Sequence, residues 1–241
     1  MTLLLLGGTG DAKRIATKLA EQGVDLIISL AGATRNPDAM PAPTRIGGFG
    51  GAEGFETFLD EAGITVILDA THPYAHRITD RTAAICSARK MPHAIFHRPP
   101  WEAKEGDRWT EIAREEEAAS HIAKGQTVFL GTGRQTLDRF ANLEGCRVIC
   151  RQIDPPSKPF PFEGGEYLIG RPPFSTQHER KLFRSLNVDW LVVKNAGGQQ
   201  SITKLLAARE LGIPVLMIKR PPVPDATIVT TVEDAVAWVP K

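Results

Sequence analysis

The chain alternates short apolar runs with longer stretches of helical periodicity. In its first half, runs rich in leucine, isoleucine and valine predict strands at residues 3–6, 25–30, 45–46, 65–68 and 93–96. Helices are predicted between them, each ending at or just before a glycine or proline, at residues 12–22, 53–62 and 75–90. Continuous apolar strands joined by helices are typical of a parallel sheet that is covered on both faces.

The second half repeats this scheme. Strands are predicted at residues 127–130, 147–150, 167–169, 190–193 and 215–218. Helices are predicted at residues 135–143, 176–186 and 201–211. We therefore expect two sheets of the same kind in one chain.

Two tripeptides recur in the same order and at nearly the same spacing. Gly8-Thr9-Gly10 returns as Gly131-Thr132-Gly133, 123 positions later, and Arg98-Pro99-Pro100 returns as Arg220-Pro221-Pro222, 122 positions later. Chance repetition of common tripeptides is the alternative to a duplication. The predicted fold class is α/β, with two small doubly wound (Rossmann-like) parallel-sheet domains and an interdomain cleft. Because the loops differ between the copies, we expect the two halves to divide the chemistry.

The boundary between the domains is predicted after Arg98-Pro99-Pro100-Trp101, because residues 102–107 are charged and without periodicity. Residues 111–123 have a helical pattern that either closes the first domain or opens the second. Residues 232–239 are the C-terminal counterpart of this pattern. The predicted domains are residues 1–105 and 106–241.

Composition places the chain among ordinary globular proteins without a strong overall charge. It has 29 lysines and arginines against 28 aspartates and glutamates, a formal net charge of +1. This balance gives no field that would collect nucleic acid or an anionic membrane, so neither is expected as a partner.

No apolar stretch has the length of a membrane span or the form of a signal peptide, and a cytoplasmic location is expected. The three cysteines form no CxxC pair and no zinc-ligand spacing with the six histidines, so no metal site is expected.

The turn after the first predicted strand is a candidate phosphate site. Ligands of parallel sheets lie beyond the carboxyl ends of the strands, and glycines there let backbone amides approach a phosphate at a helix start. The turn is not a complete GxGxxG motif, because Lys13 stands where the third glycine would fall. A tight strand-to-helix turn without a ligand is the alternative. The residues predicted to bind cofactor here are Gly8, Thr9, Gly10, Asp11 and Ala12.

The end of the second predicted strand indicates which dinucleotide would bind. NAD enzymes usually place Asp or Glu there to hold the ribose hydroxyls, but in this chain no carboxylate follows until Asp38. Thr34 and Arg35 can instead bind a 2′-phosphate, which predicts NADPH as the cofactor. An Arg35 that is only a solvated surface charge is the alternative. Gly47 and Gly48, after the third strand, add exposed backbone beside the same pocket.

The fourth predicted strand ends in Asp69-Ala70-Thr71-His72-Pro73-Tyr74-Ala75. Polar and aromatic groups leave a buried strand here at the position where a nicotinamide would lie. Thr71, His72 and Tyr74 are the candidate catalytic residues, and an imidazole that titrates near neutrality is a conceivable general acid. In the alternative interpretation Asp69 caps the following turn and His72 only braces it.

Each predicted strand of the second half is followed closely by a basic residue, and Lys204 adds another from a helix. Clustering of cations at the ligand edge predicts a polyanion held by arginine forks on carboxylate or phosphate. Basic residues that merely flank strands are the alternative. The predicted substrate-binding residues, which include an amide and two glycines, are Arg134, Arg151, Arg171, Lys194, Asn195, Gly197, Gly198, Lys204 and Arg220.

Several of these motifs together resemble the precorrin-6A reductase family of cobalamin (vitamin B12) biosynthesis, over nearly the whole chain. They are Gly7-Gly8-Thr9-Gly10-Asp11-Ala12, Asp69-Ala70-Thr71-His72-Pro73-Tyr74-Ala75, Gly131-Thr132-Gly133-Arg134, Lys194-Asn195-Ala196-Gly197-Gly198 and Arg220-Pro221. The resemblance implies NADPH-dependent reduction of one double bond of a polycarboxylate tetrapyrrole to give precorrin-6B. It places the cofactor in the first domain and the macrocycle in the cleft, and it leaves room for transient contact with neighbouring pathway enzymes.

Two other function classes stay open. A short-chain dehydrogenase would need a Tyr-x-x-x-Lys pair, but Tyr74 and Tyr167 are followed four positions later by Ile78 and Arg171. A non-enzymatic two-domain nucleotide or anion sensor would explain the duplication and the basic residues, but not the polar segment after the fourth strand. The sequence also leaves open whether the macrocycle carries cobalt, which group donates the proton, which face receives the hydride and the oligomeric state.

Overall fold

The structure is a computed structural model that describes residues 1–32, 39–199 and 201–240. The chain divides into two compact units. The first comprises Met1–Pro99 together with Pro221–Lys241, and the second comprises Pro100–Arg220. The boundary predicted between residues 105 and 106 assigns the C-terminal segment to the second half, whereas in the structure this segment packs in the first unit.

Within the described residues the chain forms twelve strands, six α-helices and two 3₁₀ helices. The strands are β1 (Thr2–Leu6), β2 (Leu26–Leu30), β3 (Thr44–Ile46), β4 (Ile64–Asp69), β5 (His93–Phe96), β6 (Trp109–Ile112), β7 (Thr127–Leu130), β8 (Arg147–Gln152), β9 (Gly165–Ile169), β10 (Trp190–Lys194), β11 (Val215–Ile218) and β12 (Thr227–Val229). The α-helices are α1 (Gly10–Glu21), α2 (Ala52–Glu61), α3 (His76–Arg89), α4 (Thr176–Leu186), α5 (Thr203–Leu211) and α6 (Val232–Trp238). The 3₁₀ helices are Glu115–Ser120 and Arg134–Phe140.

The sheet of the first unit is parallel and has the order β3-β2-β1-β4-β5-β12. Counted along the unit this is the 3-2-1-4-5-6 order of a doubly wound dinucleotide-binding fold. The order reverses between β1 and β4, and such a switch point is where these folds bind ligands. The turn after β1 and the segment after β4 are therefore neighbours at the ligand edge.

The sheet of the second unit is also parallel and has the order β9-β8-β7-β10-β11-β6. It matches the first sheet if β7 takes the place of β1, but its sixth strand, β6, comes before β7 in the chain. The two halves thus exchange their sixth strands: β6 follows β5 in sequence yet pairs with β11, and β12 follows β11 yet pairs with β5. The predicted fold class of two doubly wound parallel α/β units is confirmed.

Two predicted helices differ from the observed elements. The helix predicted over residues 111–123 is wrong in its first part, because Trp109–Ile112 is an edge strand and only Glu115–Ser120 is helical, as a 3₁₀ helix. The helix predicted over residues 135–143 is a 3₁₀ helix that is broken at Thr136, with φ −118° and ψ 20°. The charged and alanine-rich composition of residues 115–120 favours a helix. The preceding residues, Trp109–Ile112, are extended because they pair with β11.

The leucines of β1 explain how the first sheet is covered on both faces. Leu3 and Leu5 pack in a cluster with apolar residues of α1 and α6, whereas Leu4 and Leu6 pack in another cluster with residues of α2 and α3. Alternate side chains of a strand point to opposite faces, so one apolar run serves both layers. Each of these leucines is fully buried, which stabilises the fold by about 1.5–3 kcal/mol per side chain. No helix within the described ranges is both long and apolar enough to cross a membrane.

Candidate functional site

The turn between β1 and α1 has the geometry of an anion cradle. Gly8 has φ +118°, and a Cβ added there would meet no atom within 4 Å, so the space above the turn is open. The hydroxyl of Thr9 caps α1 by accepting the Ala12 amide N–H at 3.0 Å, and it donates to the carbonyl of Ala70 at 3.1 Å. The latter bond fastens the turn to the end of β4. Open backbone at a positive helix start fits the pyrophosphate of a dinucleotide.

Asp11, in the first turn of α1, is committed to two arginines. Its carboxylate accepts hydrogen bonds from Arg14 and from Arg98, the latter at 2.6 Å. Desolvation would raise the pKa of Asp11, but the bonds from Arg14 and Arg98 outweigh it and hold the pKa below its ordinary value. The Asp11 side chain thus positions Arg98, which follows β5, beside the glycine turn. Arg98 was not predicted as a site residue, although it belongs to the repeated Arg-Pro-Pro tripeptide.

Thr34 and Arg35, the predicted 2′-phosphate ligands, lie outside the described residues. Arg45, on β3, donates to the Ser29 hydroxyl and the Gly47 carbonyl at 2.9 Å each and to the Gly48 carbonyl at 3.0 Å. Its guanidinium also lies 3.8 Å from the centre of the Phe49 ring. The carbonyls of Gly47 and Gly48 are therefore engaged, and Arg45 is a cation beside the end of β2 that was not predicted as a site residue.

The segment after β4 is organised by a buried carboxylate. Asp69 is 1% exposed and accepts the Thr71 amide N–H at 2.9 Å and the Thr79 hydroxyl at 2.7 Å. Nδ1 of His72 accepts the Tyr74 amide N–H at 3.3 Å, which assigns the ring proton of a neutral His72 to Nε2. Asp69 thus caps the turn after β4 and His72 holds the Tyr74 amide, while the catalytic role of Thr71, His72 and Tyr74 stays a prediction.

A pocket of about 320 Å³, including space open to solvent, lies beside this segment. It is bounded by the end of β4, the first turn of α3, the end of β5 and the Pro222-Val223 segment. Of the predicted catalytic residues, Thr71 and His72 line it, whereas Tyr74 is not among its lining residues. His76 and His97 line it as well. Neither was predicted, because neither directly follows the polar strand end that drew attention to His72.

In the second unit the corresponding turn is packed at Gly131, the counterpart of Gly8. A Cβ added at Gly131 would lie 3.1 Å from Cγ1 of Val193 and 3.4 Å from Cδ of Lys204. A glycine is favoured here because a Cβ would crowd Val193 of β10, while the Lys204 side chain, from α5, lies at ordinary contact distance. Arg134 begins the 3₁₀ helix that takes the place of α1 in this unit and is exposed. The two copies of the tripeptide therefore present different surfaces to a ligand.

Arg151 and Glu179 form a buried, two-bonded ion pair. Nη1 and Nη2 of Arg151 donate to the two carboxylate oxygens of Glu179 at 2.8 and 2.7 Å, and the side chains are 9% and 1% exposed. The Arg151 guanidinium also lies 4.3 Å from the Phe174 ring centre. This geometry makes Arg151 part of the support of the site, since its charge is already balanced. The sequence could not indicate Glu179, because it lies on a helix 28 residues away.

Lys204 lies beside this pair. Desolvation lowers the pKa of Lys204 to about 8, with the Arg151 charge acting in the same direction and Glu179 opposing both. Desolvation also lowers the pKa of Lys194, while Glu115 raises it and Arg139 lowers it further. Arg171 is half-exposed and lies 3.9 Å from a carboxylate oxygen of Asp154. These cations thus differ widely in burial and in how far their charge is compensated.

Asn195, Gly198 and Arg220 are brought together, with Trp101, in one hydrogen-bonded group. The Asn195 amide accepts from the Trp101 backbone N–H at 2.8 Å and donates to the Trp101 carbonyl at 2.9 Å. The Trp101 indole donates to the Gly198 carbonyl at 2.9 Å, and Nε of Arg220 donates to the Asn195 carbonyl at 2.6 Å. Gly197 and Gly198 both have positive φ, 67° and 77°. Here Asn195 organises the loop after β10.

The side-chain amide of Gln152, at the end of β8, is buried and has no hydrogen-bond partner among the described residues. Across the described ranges, no group of three or more histidine, cysteine, aspartate or glutamate side chains is placed to hold a metal ion. The polar groups at both ligand edges are thus hydrogen-bonding groups and cations.

Comparison with known proteins identifies relatives over the whole chain. The family model described as Precorrin-6x reductase CbiJ/CobK matches residues 2–240. The precorrin-6A reductase of Rhodococcus erythropolis is 43% identical over 240 residues, covering 98% of this chain and 96% of the relative. That of Rhodobacter capsulatus is 40% identical over 238 residues, covering 98% and 95%.

A more distant relative and a solved structure agree with this. The cobalt-precorrin-6A reductase of Priestia megaterium is 27% identical over 253 residues, covering 97% of this chain and 96% of the relative. The solved structure described as CobK precorrin-6A reductase superimposes with a TM-score of 0.94 and 41% identity, covering 99% of this chain and 96% of that one. The chain therefore belongs to the precorrin-6x reductase CbiJ/CobK family, which confirms the resemblance drawn from its motifs and the prediction of an oxidoreductase.

Proposed function

We propose that this protein is an NADPH-dependent precorrin-6A reductase, which reduces one double bond of a polycarboxylate tetrapyrrole to give precorrin-6B in cobalamin biosynthesis. The observation that carries the proposal is 40–43% identity, over 98% of the chain, to proteins named precorrin-6A reductase. The test is anaerobic incubation of the purified protein with NADPH and precorrin-6A, following cofactor oxidation and the mass of the macrocycle. Binding of both ligands without turnover would favour the sensor alternative.

In this proposal the first unit holds the cofactor. The pyrophosphate lies on the open turn at Gly8, with the N–H groups of α1 and the guanidinium of Arg98 supplying positive charge. The nicotinamide end lies in the pocket lined by Thr71 and His72. The bound cofactor supplies the hydride. The chain's own contribution is to fix the geometry, which in favourable cases supplies on the order of 7–11 kcal/mol of the barrier reduction.

The choice of NADPH over NADH rests on Arg35 and on the missing carboxylate after β2. Replacing Arg35 with alanine is expected to weaken NADPH binding by about 1–3 kcal/mol, the range for a charge-assisted contact, and to leave NADH binding nearly unchanged. Fluorescence titration of both cofactors measures this. Equal losses for the two would contradict the assignment, and loss of NADPH preference in Arg45→Ala alone would move it to Arg45.

In the second unit the cations have two kinds of role. Arg134, Arg171, Lys194 and Arg220 are the proposed ligands of the acetate and propionate carboxylates. Arg151 and Asn195 are positioning residues that hold other groups in place, since Arg151 is paired with Glu179 and the Asn195 amide with Trp101. Gly197, Gly198 and Lys204 complete the proposed substrate surface.

Replacing Arg171 with alanine tests the carboxylate surface. The substrate KM is expected to rise roughly tenfold, because one charged contact of about 1.5 kcal/mol is lost from a half-exposed position, while kcat changes little. The KM of the wild-type enzyme should also rise with salt. The controls in the same unit are Lys124→Ala, at an exposed position, and Arg180→Ala, in the half-exposed ion pair with Glu210. If they raise KM equally, the basic residues are ordinary surface charge.

The expected partner is the small-molecule tetrapyrrole, with neither nucleic acid nor membrane. We place the enzyme in the cytoplasm, where handover to neighbouring pathway enzymes would take place. Its three cysteines, Cys86, Cys146 and Cys150, are free and buried, which fits a reducing compartment.

A further inference from the structure

Arg45 is a fixed cation at the ligand edge of the first unit. It is the middle residue of β3, and its guanidinium donates to the Ser29 hydroxyl of β2 and to the carbonyls of Gly47 and Gly48, just after β3. These three bonds hold the guanidinium beside the carboxyl ends of two neighbouring parallel strands. Ligands of doubly wound folds bind beyond such ends. Arg45 therefore has a fixed position on the side of the sheet where a cofactor is expected.

A phenylalanine between β3 and α2 supports this arginine. The Arg45 guanidinium lies 3.8 Å from the centre of the Phe49 ring. The ring itself packs against Phe55 and Phe58 of α2, with centroid distances of 4.6 and 5.3 Å. Aromatic rings attract cations, so Phe49 offsets part of the desolvation of the guanidinium. Because Phe55 is fully buried in the core, Phe49 is a firm support for Arg45.

Arg81, on α3, holds the other end of the same segment. Residues 47–51 have the sequence Gly-Gly-Phe-Gly-Gly, and four glycines by themselves allow many backbone conformations. Nη1 of Arg81 donates to the Gly51 carbonyl at 3.1 Å. Its guanidinium also lies 4.9 Å from the Phe55 ring centre and 5.6 Å from that of Phe49. Two arginines, one at each end, thus hold a glycine-rich segment in one conformation.

Among the described residues, no carboxylate balances the charge of Arg45. Neither Arg45 nor Arg81 forms an ion pair there, and desolvation lowers the pKa of each without a carboxylate to oppose it. By contrast, Arg98 beside the glycine turn is paired with Asp11. A partly desolvated cation gains from an anion that replaces its lost hydration. By the same criterion that makes Arg151 a support, Arg45 is a direct ligand for an anion.

We propose that Arg45 selects the phosphorylated cofactor by binding the 2′-phosphate of NADPH, and that Phe49 and Arg81 are positioning residues for it. A guanidinium gives a phosphate charge-assisted hydrogen bonds, and NADH lacks this phosphate. Because the bonds and the ring already fix the Arg45 side chain, little of its conformational entropy remains to be lost on binding. This inference rests on the proposed function, and it adds Arg45 to Arg35 as a ligand of the same phosphate.

The test is the ratio of the dissociation constants of NADH and NADPH, since a purely structural role weakens both cofactors alike. Arg45→Met removes the charge but keeps a long apolar side chain against Phe49, and it is expected to lower the ratio about tenfold or more through NADPH alone. Arg81→Ala loosens the segment and should lower the ratio about threefold. Arg77→Ala, at an exposed position of the same helix, is the matched control and should leave the ratio unchanged.

The outcomes are distinguishable. A wild-type protein that binds neither cofactor would overturn the proposed function, and this inference with it. If the wild type oxidises NADPH with precorrin-6A but Arg45→Met keeps the ratio within about twofold, or weakens both cofactors equally, the role of Arg45 in selection is overturned alone. Inorganic phosphate, titrated by calorimetry, is the remaining arm. If Arg45→Met loses its binding while the cofactor ratio is unchanged, the anion is free phosphate and the assignment to NADPH is overturned.

Discussion

Replacing Gly8 with valine is expected to lower the affinity for NADPH at least about 100-fold, as from the loss of two charge-assisted hydrogen bonds at about 1.5–3 kcal/mol each. The physical reason is twofold. The Gly8 backbone has φ +118°, which a β-branched residue avoids, and its Cβ would point into the open space proposed for the pyrophosphate. Isothermal titration calorimetry with NADPH measures the change.

Gly133→Val is the matched control for this experiment. Gly133 also has positive φ, +75°, and a Cβ there also meets nothing within 4 Å, so the backbone strain is comparable. Because Gly133 belongs to the second unit, its variant should bind NADPH normally. If Gly133→Val loses as much affinity as Gly8→Val, or if NADPH protects residues 131–134 from hydrogen exchange, the cofactor is not held where we propose.

Replacing Glu179 with glutamine is expected to destabilise the second unit by about 3–5 kcal/mol. The change leaves Arg151 buried without its counter-ion and beside the ammonium of Lys204. Urea unfolding followed by tryptophan fluorescence measures this, since Trp101, Trp109 and Trp190 all lie in the second unit.

The control is Glu210→Gln, which breaks the half-exposed pair of Glu210 with Arg180 in the same unit. Solvent-exposed pairs contribute little, so a loss below about 1 kcal/mol is expected. A similar small loss in Glu179→Gln would mean that the buried pair does not support the site, and that Arg151 is available for the substrate after all.

Local patterns in the sequence predicted most of the elements and the location of the ligand edges. The five runs predicted in each half correspond to β1 to β5 and to β7 to β11. The inner runs are mostly apolar because those strands are covered on both faces, whereas β3 and β9 lie at sheet edges and are partly exposed. The glycine turn at Gly8 and the polar segment after β4 lie next to each other, as expected for strands on either side of a switch point. These features depend on residues that are close in sequence.

Other site features depend on contacts between distant segments. The pairing of Arg151 with Glu179, of Asp11 with Arg98 and of Asn195 with Trp101 joins residues 28 to 94 positions apart. Each pairing gives a basic or polar residue a partner within the protein. A residue with such a partner supports the site, whereas a residue without one can bind a ligand directly. A pattern of cations after strands cannot make this distinction, because it contains no information about partners.

The sequence by itself determined the fold class, the duplicated architecture and the membership of the chain in a reductase family, because periodicity and motif spacing are properties of neighbouring residues. Only the tertiary structure decided that β6 and β12 are exchanged between the two sheets. Both are short edge strands of three or four residues, and the partner of an edge strand is selected by packing across the whole fold. The tertiary structure likewise decided the acidity of Lys204, since desolvation and the Arg151 charge act through space and not along the chain.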